Sequence, residues 1–123
     1  GTTNQYLASG TYTPTLTNVT NVDASTAYTC QWMRVGNVVT VSGQVDIDVT
    51  LAASTATELG FSLPIASALT ANEQVGGDAI SDNVASLSAR IRADGTNDRA
   101  AIVFKSISLT NDTYSFTFTY LIL

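Results

Sequence analysis

The feature that leaves this chain the fewest folds is the alternation with which it closes. Across residues 113–122, Tyr114, Phe116, Phe118, Tyr120 and Ile122 fall in one row, and Thr113, Ser115, Thr117, Thr119 and Leu121 fall in the other. Successive strand side chains point to opposite faces, so a two-residue period of aromatic against hydroxyl residues specifies a strand with one buried face. The same period sets Val39, Val41, Gly43, Val45, Ile47 and Val49 against Val38, Thr40, Ser42, Gln44, Asp46 and Asp48. Over 84–93 it sets Ala85, Leu87, Ala89, Ile91 and Ala93 against Ser86, Ser88, Arg90 and Arg92. With 19 Thr and 12 Ser in 123 residues, long helices are disfavoured, because β-branched Thr suits strands and Ser competes for helix backbone hydrogen bonds.

The punctuation between these runs completes the expected map. Residues 1–10 show no sustained period and read as a linker or N-terminal arm. Residues 11–17 alternate, with Pro14 marking an edge strand because it cannot donate to a ladder. Residues 18–26 read as a polar loop and 27–35 as a strand with Tyr28, Cys30, Trp32 and Arg34 on one face. Gly36-Asn37 then forms a two-residue hairpin turn into the 38–49 strand. A strand over 57–63 stops at Pro64, a short helical turn fits 65–71, and 75–81 reads as a strand bulged at Gly76-Gly77. The turn 94–98 leads into a strand over 100–107. The sum is an all-β fold, an antiparallel β-sandwich or jelly roll of about eight strands, in a single domain over 11–123. Its expected core is Val39, Val41, Val45, Ile47, Leu87, Ile91, Phe116 and Phe118.

Charge and composition narrow the function. Ten acids against five bases give a net charge of -5 at pH 7, which lacks the basic footprint of a nucleic-acid binder. No apolar run approaches the ~20 residues of a membrane helix, so no membrane insertion is expected. The chain has no histidine, which removes the Ser-His-Asp triad, the Cys-His pair and the usual His-containing zinc sites. The expectation is a protein that is not an enzyme, with no catalytic, cofactor-binding or metal-binding residue and no cofactor.

Four groups of residues are candidate sites. Asp46 and Asp48 lie two apart on a polar strand face, where they suit either Ca²⁺ chelation or plain protection of an edge. Asp94, Asn97 and Asp98 supply oxygen ligands around Gly95, yet Asp, Gly and Asn are what any turn uses and the spacing is not that of an EF-hand. Trp32 with Tyr28 makes either a sugar-stacking platform or core. Arg34, Arg90 and Arg92 are the one concentration of positive charge, fit for anionic sugars or for acids across a subunit seam. Asn18 and Asn111 each open a glycosylation acceptor pattern to which no role is assigned.

Two stretches carry a family resemblance. Ser9-Gly10-Thr11-Tyr12-Thr13-Pro14-Thr15-Leu16-Thr17-Asn18 and Ala27-Tyr28-Thr29-Cys30-Gln31-Trp32-Met33-Arg34-Val35-Gly36-Asn37-Val38-Val39-Thr40-Val41-Ser42-Gly43 resemble the C-terminal β-sandwich domain of bacteriophage tail fibres and related virion appendages. Leu59-Gly60-Phe61-Ser62-Leu63-Pro64-Ile65-Ala66 and Phe116-Thr117-Phe118-Thr119-Tyr120 are similar to the same module. The resemblance implies a virion protein, a homotrimer at a fibre tip or particle surface, joined to other virion proteins through its N-terminal arm. Its implied partner is a host-surface glycan or protein, and no functional residue transfers with it. The alternatives are a capsid decoration protein, or a monomeric secreted carbohydrate-binding module with an exposed aromatic row. The attachment surface expected from the sequence lies in loops 18–26, 52–56 and 94–99, at the end away from the arm. Apolar residues opposite apolar rows, namely Met33, Val35 and Leu121, point to a further buried face in an oligomer.

Overall fold

A computed structural model describes residues 7–52, 54–83, 87–109 and 111–123. It contains ten strands: β1 (Leu7–Tyr12), β2 (Leu16–Thr20), β3 (Val22–Ala27), β4 (Cys30–Val35), β5 (Val38–Val49), β6 (Thr55–Phe61), β7 (Val75–Ser81), β8 (Ser88–Asp94), β9 (Arg99–Ser106) and β10 (Asp112–Leu121). Every pairing is antiparallel. The strands form one continuous sheet in the order β1-β4-β5-β10-β7-β8-β9-β6-β2, with β3 beside β5, and this sheet curls into a half-barrel. The all-β antiparallel expectation therefore holds, with nine of the ten strands on one hydrogen-bonded path and β3 branching from β5.

The curl brings strands that are distant in the sheet order face to face. Phe61 on β6 sits 5.3 Å from Phe116 and 5.2 Å from Phe118 on β10. Phe104 on β9 reaches Tyr114 at 5.0 Å. Around these rings the inward rows of β5, β8 and β9 bury Val39, Val41, Val45, Ile47, Ile91 and Ile102. Of the expected core only Leu87 is not fully buried, and it packs against the cluster from the loop before β8.

Where the structure departs from the sequence reading, the cause is a neighbour that the local pattern does not contain. Residues 18–26 are not a loop but the strands β2 and β3, joined at Asn21. Both are largely exposed, so they carry no buried row to announce them. The 11–17 strand is split at residues 13–15, with Pro14 buried at the corner between β1 and β2. β1 begins at Leu7 and pairs over six positions with β4, so Leu7 to Gly10 belong to the sheet and not to the arm. Residues 65–71 form no helical turn. Tyr120 Oη donates to the Ile65 carbonyl at 2.7 Å and accepts from the Ile65 amide at 3.2 Å. Ser67 Oγ donates to the Leu121 carbonyl at 2.7 Å, so β10 takes the hydrogen bonds that a helix would have used. A single 3-10 turn follows at Asn72–Gln74.

The glycines behave unequally. At the hairpin, Gly36 alone has a positive φ, 61°, the pattern of a type II′ turn. Gly76-Gly77 produces no bulge, because β7 stays in register with β10 from Val75 to Ser81. Gly77 is needed for another reason: the Thr117 carbonyl and Phe118 approach it too closely for any Cβ.

Two outcomes follow from this packing. Phe61→Ala removes the ring that touches both β10 phenylalanines and is expected to cost about 3–5 kcal/mol in denaturant unfolding. Burial raises the hydroxyls of Tyr12 and Tyr114 above their usual 10.0 and that of Tyr120 to about 12. A raised pKa in the fold favours the neutral phenol, so this stability is whole below pH 10 and drains away as pH rises beyond it. Tyr120→Phe keeps the ring but loses both bonds to Ile65. It should lower stability by roughly 1–2 kcal/mol at neutral pH and flatten the alkaline limb of the melting profile.

Candidate functional site

The curled sheet has two ends. The proximal end carries Leu7, the Gly36-Asn37 turn, the turn after β8 and the close of β10. The distal end carries the Asn21 corner, the close of β5, and the segments flanking β9 and β10 on their Ser106 and Asp112 sides. The sequence alone left open which loops share an end. Residues 94–99 lie proximal, whereas Asn21, Thr50, Leu51 and Ser54 lie distal.

Asp46 and Asp48 lie on β5 opposite Thr26 and Ala24 of β3. Asp46 Oδ2 accepts from Tyr28 Oη at 2.7 Å and Asp46 Oδ1 from Thr113 Oγ1 at 2.5 Å, an outer-face network across the strand β5 and its neighbours. This bond to Asp46 also raises the Tyr28 hydroxyl above its usual pKa. Asp94 accepts from Arg99 Nε at 2.9 Å and from Asn97 Nδ2 at 3.0 Å. Burial alone would raise the Asp94 carboxyl, but these two donors hold it below the ordinary value. Gly95 beside it lies against the Thr70 backbone, so the turn is braced from beneath. Among the described residues no group of three or more His, Cys, Asp or Glu side chains is placed to hold a metal.

Trp32 and Tyr28 do not form a platform. From Ala27 to Gln31 the chain advances four residues while β5 advances three, Val45 to Ser42. The extra residue is a β-bulge, and it reverses which face each later side chain takes. Tyr28 therefore meets Asp46 outside, while Trp32 pairs in register with buried Val41 and lays its indole across Gly10. Cys30, just past the bulge, fills the space that Gly43 leaves open. Burial raises the Cys30 thiol against the opposing pull of the Gln44 backbone, so the thiolate is disfavoured.

Of the arginines, Arg34 on β4 is separated from Arg90 and Arg92, which share the outer face of β8. Arg92 pairs with Glu58 at 3.0 Å and Arg34 donates to the Gly36 carbonyl at 2.7 Å within its own hairpin. Arg90 sits opposite Asp78 in the β7–β8 register. Asn18 accepts from Ser25 at 2.7 Å across the β2–β3 corner, and the Asn111 carbonyl accepts from Asn83 at 3.3 Å.

What the sequence reading missed is the polar pin of the distal end. Asn21, at φ 56°, has Nδ2 within 2.9 Å of the Leu51 carbonyl, 2.9 Å of Thr57 Oγ1 and 3.2 Å of Ser106 Oγ, while its Oδ1 accepts from the Leu51 amide at 2.7 Å. Ser106 Oγ also donates to the Leu51 carbonyl at 2.5 Å. Thr57 and Ser106 are each only 1% exposed, so these bonds satisfy groups that could find no water. A second pin joins Ser81 Oγ to buried Asp112, which also receives the Asn83 amide at 3.3 Å. Over this framework Leu51, Ile107 and Leu109 stand exposed. The signal available in the sequence was Asn21 itself, one of the few residue types that tolerates a left-handed backbone.

Comparisons of the chain with known protein families, with curated proteins and with solved structures find no match.

Replacing Asn21 separates the two parts of its role. Asn21→Gly keeps the backbone at ease and loses the side-chain bonds, with an expected loss of about 2 kcal/mol. Asn21→Ala adds left-handed strain of roughly 1 kcal/mol more. Thermal unfolding of the two variants beside the parent chain measures both.

Proposed function

We propose that this chain is a non-enzymatic attachment module displayed on the surface of a phage particle, presenting its distal end to a host-surface glycan or protein. The observation that carries the reading is the make-up of that end: exposed Leu51, Ile107 and Leu109 stand on a backbone pinned by Asn21 and Ser106. A contact surface ordered before binding loses little conformational freedom when it binds. Exposed apolar groups among neutral amides, here Asn83 and Asn111, suit apolar faces and hydrogen-bonding groups of a glycan or protein better than ionic capture. The likeness of the 9–18 and 27–43 segments to virion appendage domains supports the same reading. Attachment at the distal end leaves the Leu7 end free for the rest of the particle, and copies held together would raise weak contacts by avidity.

The test is adsorption to host cells. Leu51→Asp and Leu109→Asp, at exposed positions that leave the core untouched, are expected to lower adsorption roughly tenfold or more, while melting temperature stays within a few degrees. Unchanged adsorption by both folded variants overturns the proposal. If the protein also stays fixed to the capsid shell, capsid decoration replaces attachment.

A further inference from the structure

The outer surface of the sheet divides by charge. On β8, β9 and β6 it carries Arg92 paired with Glu58 and, at the β8–β9 turn, Arg99 paired with Asp94. On β1, β4, the first half of β5 and the last half of β10 it carries no charged group. The outward row there is Leu7, Ser9 and Thr11 on β1, Gln31, Met33 and Val35 on β4, then Val38, Thr40 and Ser42 on β5, with Thr117, Thr119 and Leu121 on β10. Arg34 is the only charge in β1 and β4, and it alternates inward with its Nε on the Gly36 carbonyl.

Within this uncharged face one row is wholly apolar. Leu7 pairs with Val35, Val35 with Val38, and Val38 with Leu121, so four strands present one unbroken line. These residues are between 41% and 62% exposed, and Met33 beside them is 54% exposed. At about 4.8 Å per strand the line runs roughly 14 Å across the sheet. Alongside it, Ser9, Gln31, Met33 and Thr40 border a groove of about 510 Å³, and Leu7, Met33 and Val35 border a second hollow of about 290 Å³. Two open hollows thus flank the apolar row on the outer side of the sheet.

We propose that a second copy of this chain covers this face, the Leu7-Val35-Val38-Leu121 row of one copy packing on that of the next. Charge favours a copy over a foreign partner. In a chain of net charge -5, all ten acids lie outside the apolar row, with Asp78 opposite Thr117 and Glu73 beside the hollow lined by Thr119 and Leu121 at the margin of the face, so along the row two copies meet without setting carboxylate against carboxylate. A basic partner would be drawn to the acidic remainder instead. The free edge adds to the case, because among the described residues no strand pairs with the outer side of β1. β1 has no charge, proline or bulge of the kind that keeps edge strands apart. Two copies meeting here would cover that edge together with the apolar row. This inference stands apart from the attachment reading, which uses the opposite end of the molecule.

The experiment is the mass of the intact chain by sedimentation and light scattering across micromolar concentrations, at low and at high salt. The expected result is a multiple of 12.9 kDa that persists or strengthens as salt screens the residual repulsion. Val35→Asp and Leu121→Asp should each raise the concentration for half-association roughly tenfold or more, with the circular-dichroism spectrum unchanged. Ile80→Asp, at an equally exposed apolar position on β7, should leave association as it was. A monomer at every concentration overturns the proposal and gives the face to another partner. So does an assembly that both aspartate variants leave intact, or one that high salt disperses.

Discussion

The contact on which the rest of this fold depends is the meeting of Phe61 with Phe116 and Phe118 across the interior. β6 and β10 are four places apart in the sheet order and share no hydrogen bond. Burial of these rings draws the ten-strand ribbon inward, since hydrogen bonds within a sheet fix neighbours and leave its curvature open. Once the ribbon curls, the valines of β5 and the isoleucines of β8 and β9 face a common interior. A flat version would leave that row in water, at roughly 25 cal/mol for each Å² of apolar surface.

Curling alone would leave a gaping mouth, and the chain crosses it twice. β1 and β2, the two ends of the sheet order, are consecutive in sequence and joined through Pro14, with Tyr12 Oη and the Thr15 amide both bonded to Ser62. The Asn21 corner then carries the chain from β2 back to β3, which pairs with β5 along the same edge that β4 uses. The two corners use different chemistry. Pro14 fixes φ by its ring and has no amide to leave unpaired, while Asn21 takes a left-handed turn and uses its amide to bind three segments together.

Much of this was legible in the sequence where burial is one-sided. β5, β8 and β10 announce themselves by period two, and their inward rows are the core. The strands β2 and β3 were illegible because they lie mostly in water, so selection of side chains by burial left no row to read. The paired reading of Tyr28 with Trp32 failed for a related reason: one inserted residue, invisible to a period count, moved every later side chain to the other face. The Asn21 pin was hidden because its partners are 30, 36 and 85 residues away. In contrast, the excess of apolar residues at Met33, Val35 and Leu121 was readable, and the structure places all three in the open.

The position of β1 has a mechanical consequence. Leu7 enters at the proximal end, and β1 lies antiparallel against β4 through six successive pairs from Leu7↔Val35 to Tyr12↔Cys30. Ladder hydrogen bonds run perpendicular to the strands. A pull entering at Leu7 and opposed at the distal tip is therefore directed along β1. It loads the ladder in shear, with the six pairs sharing the force and yielding together. The same force applied sideways would open them one at a time. Tension along β1 thus meets the β1–β4 ladder in the direction in which it resists most.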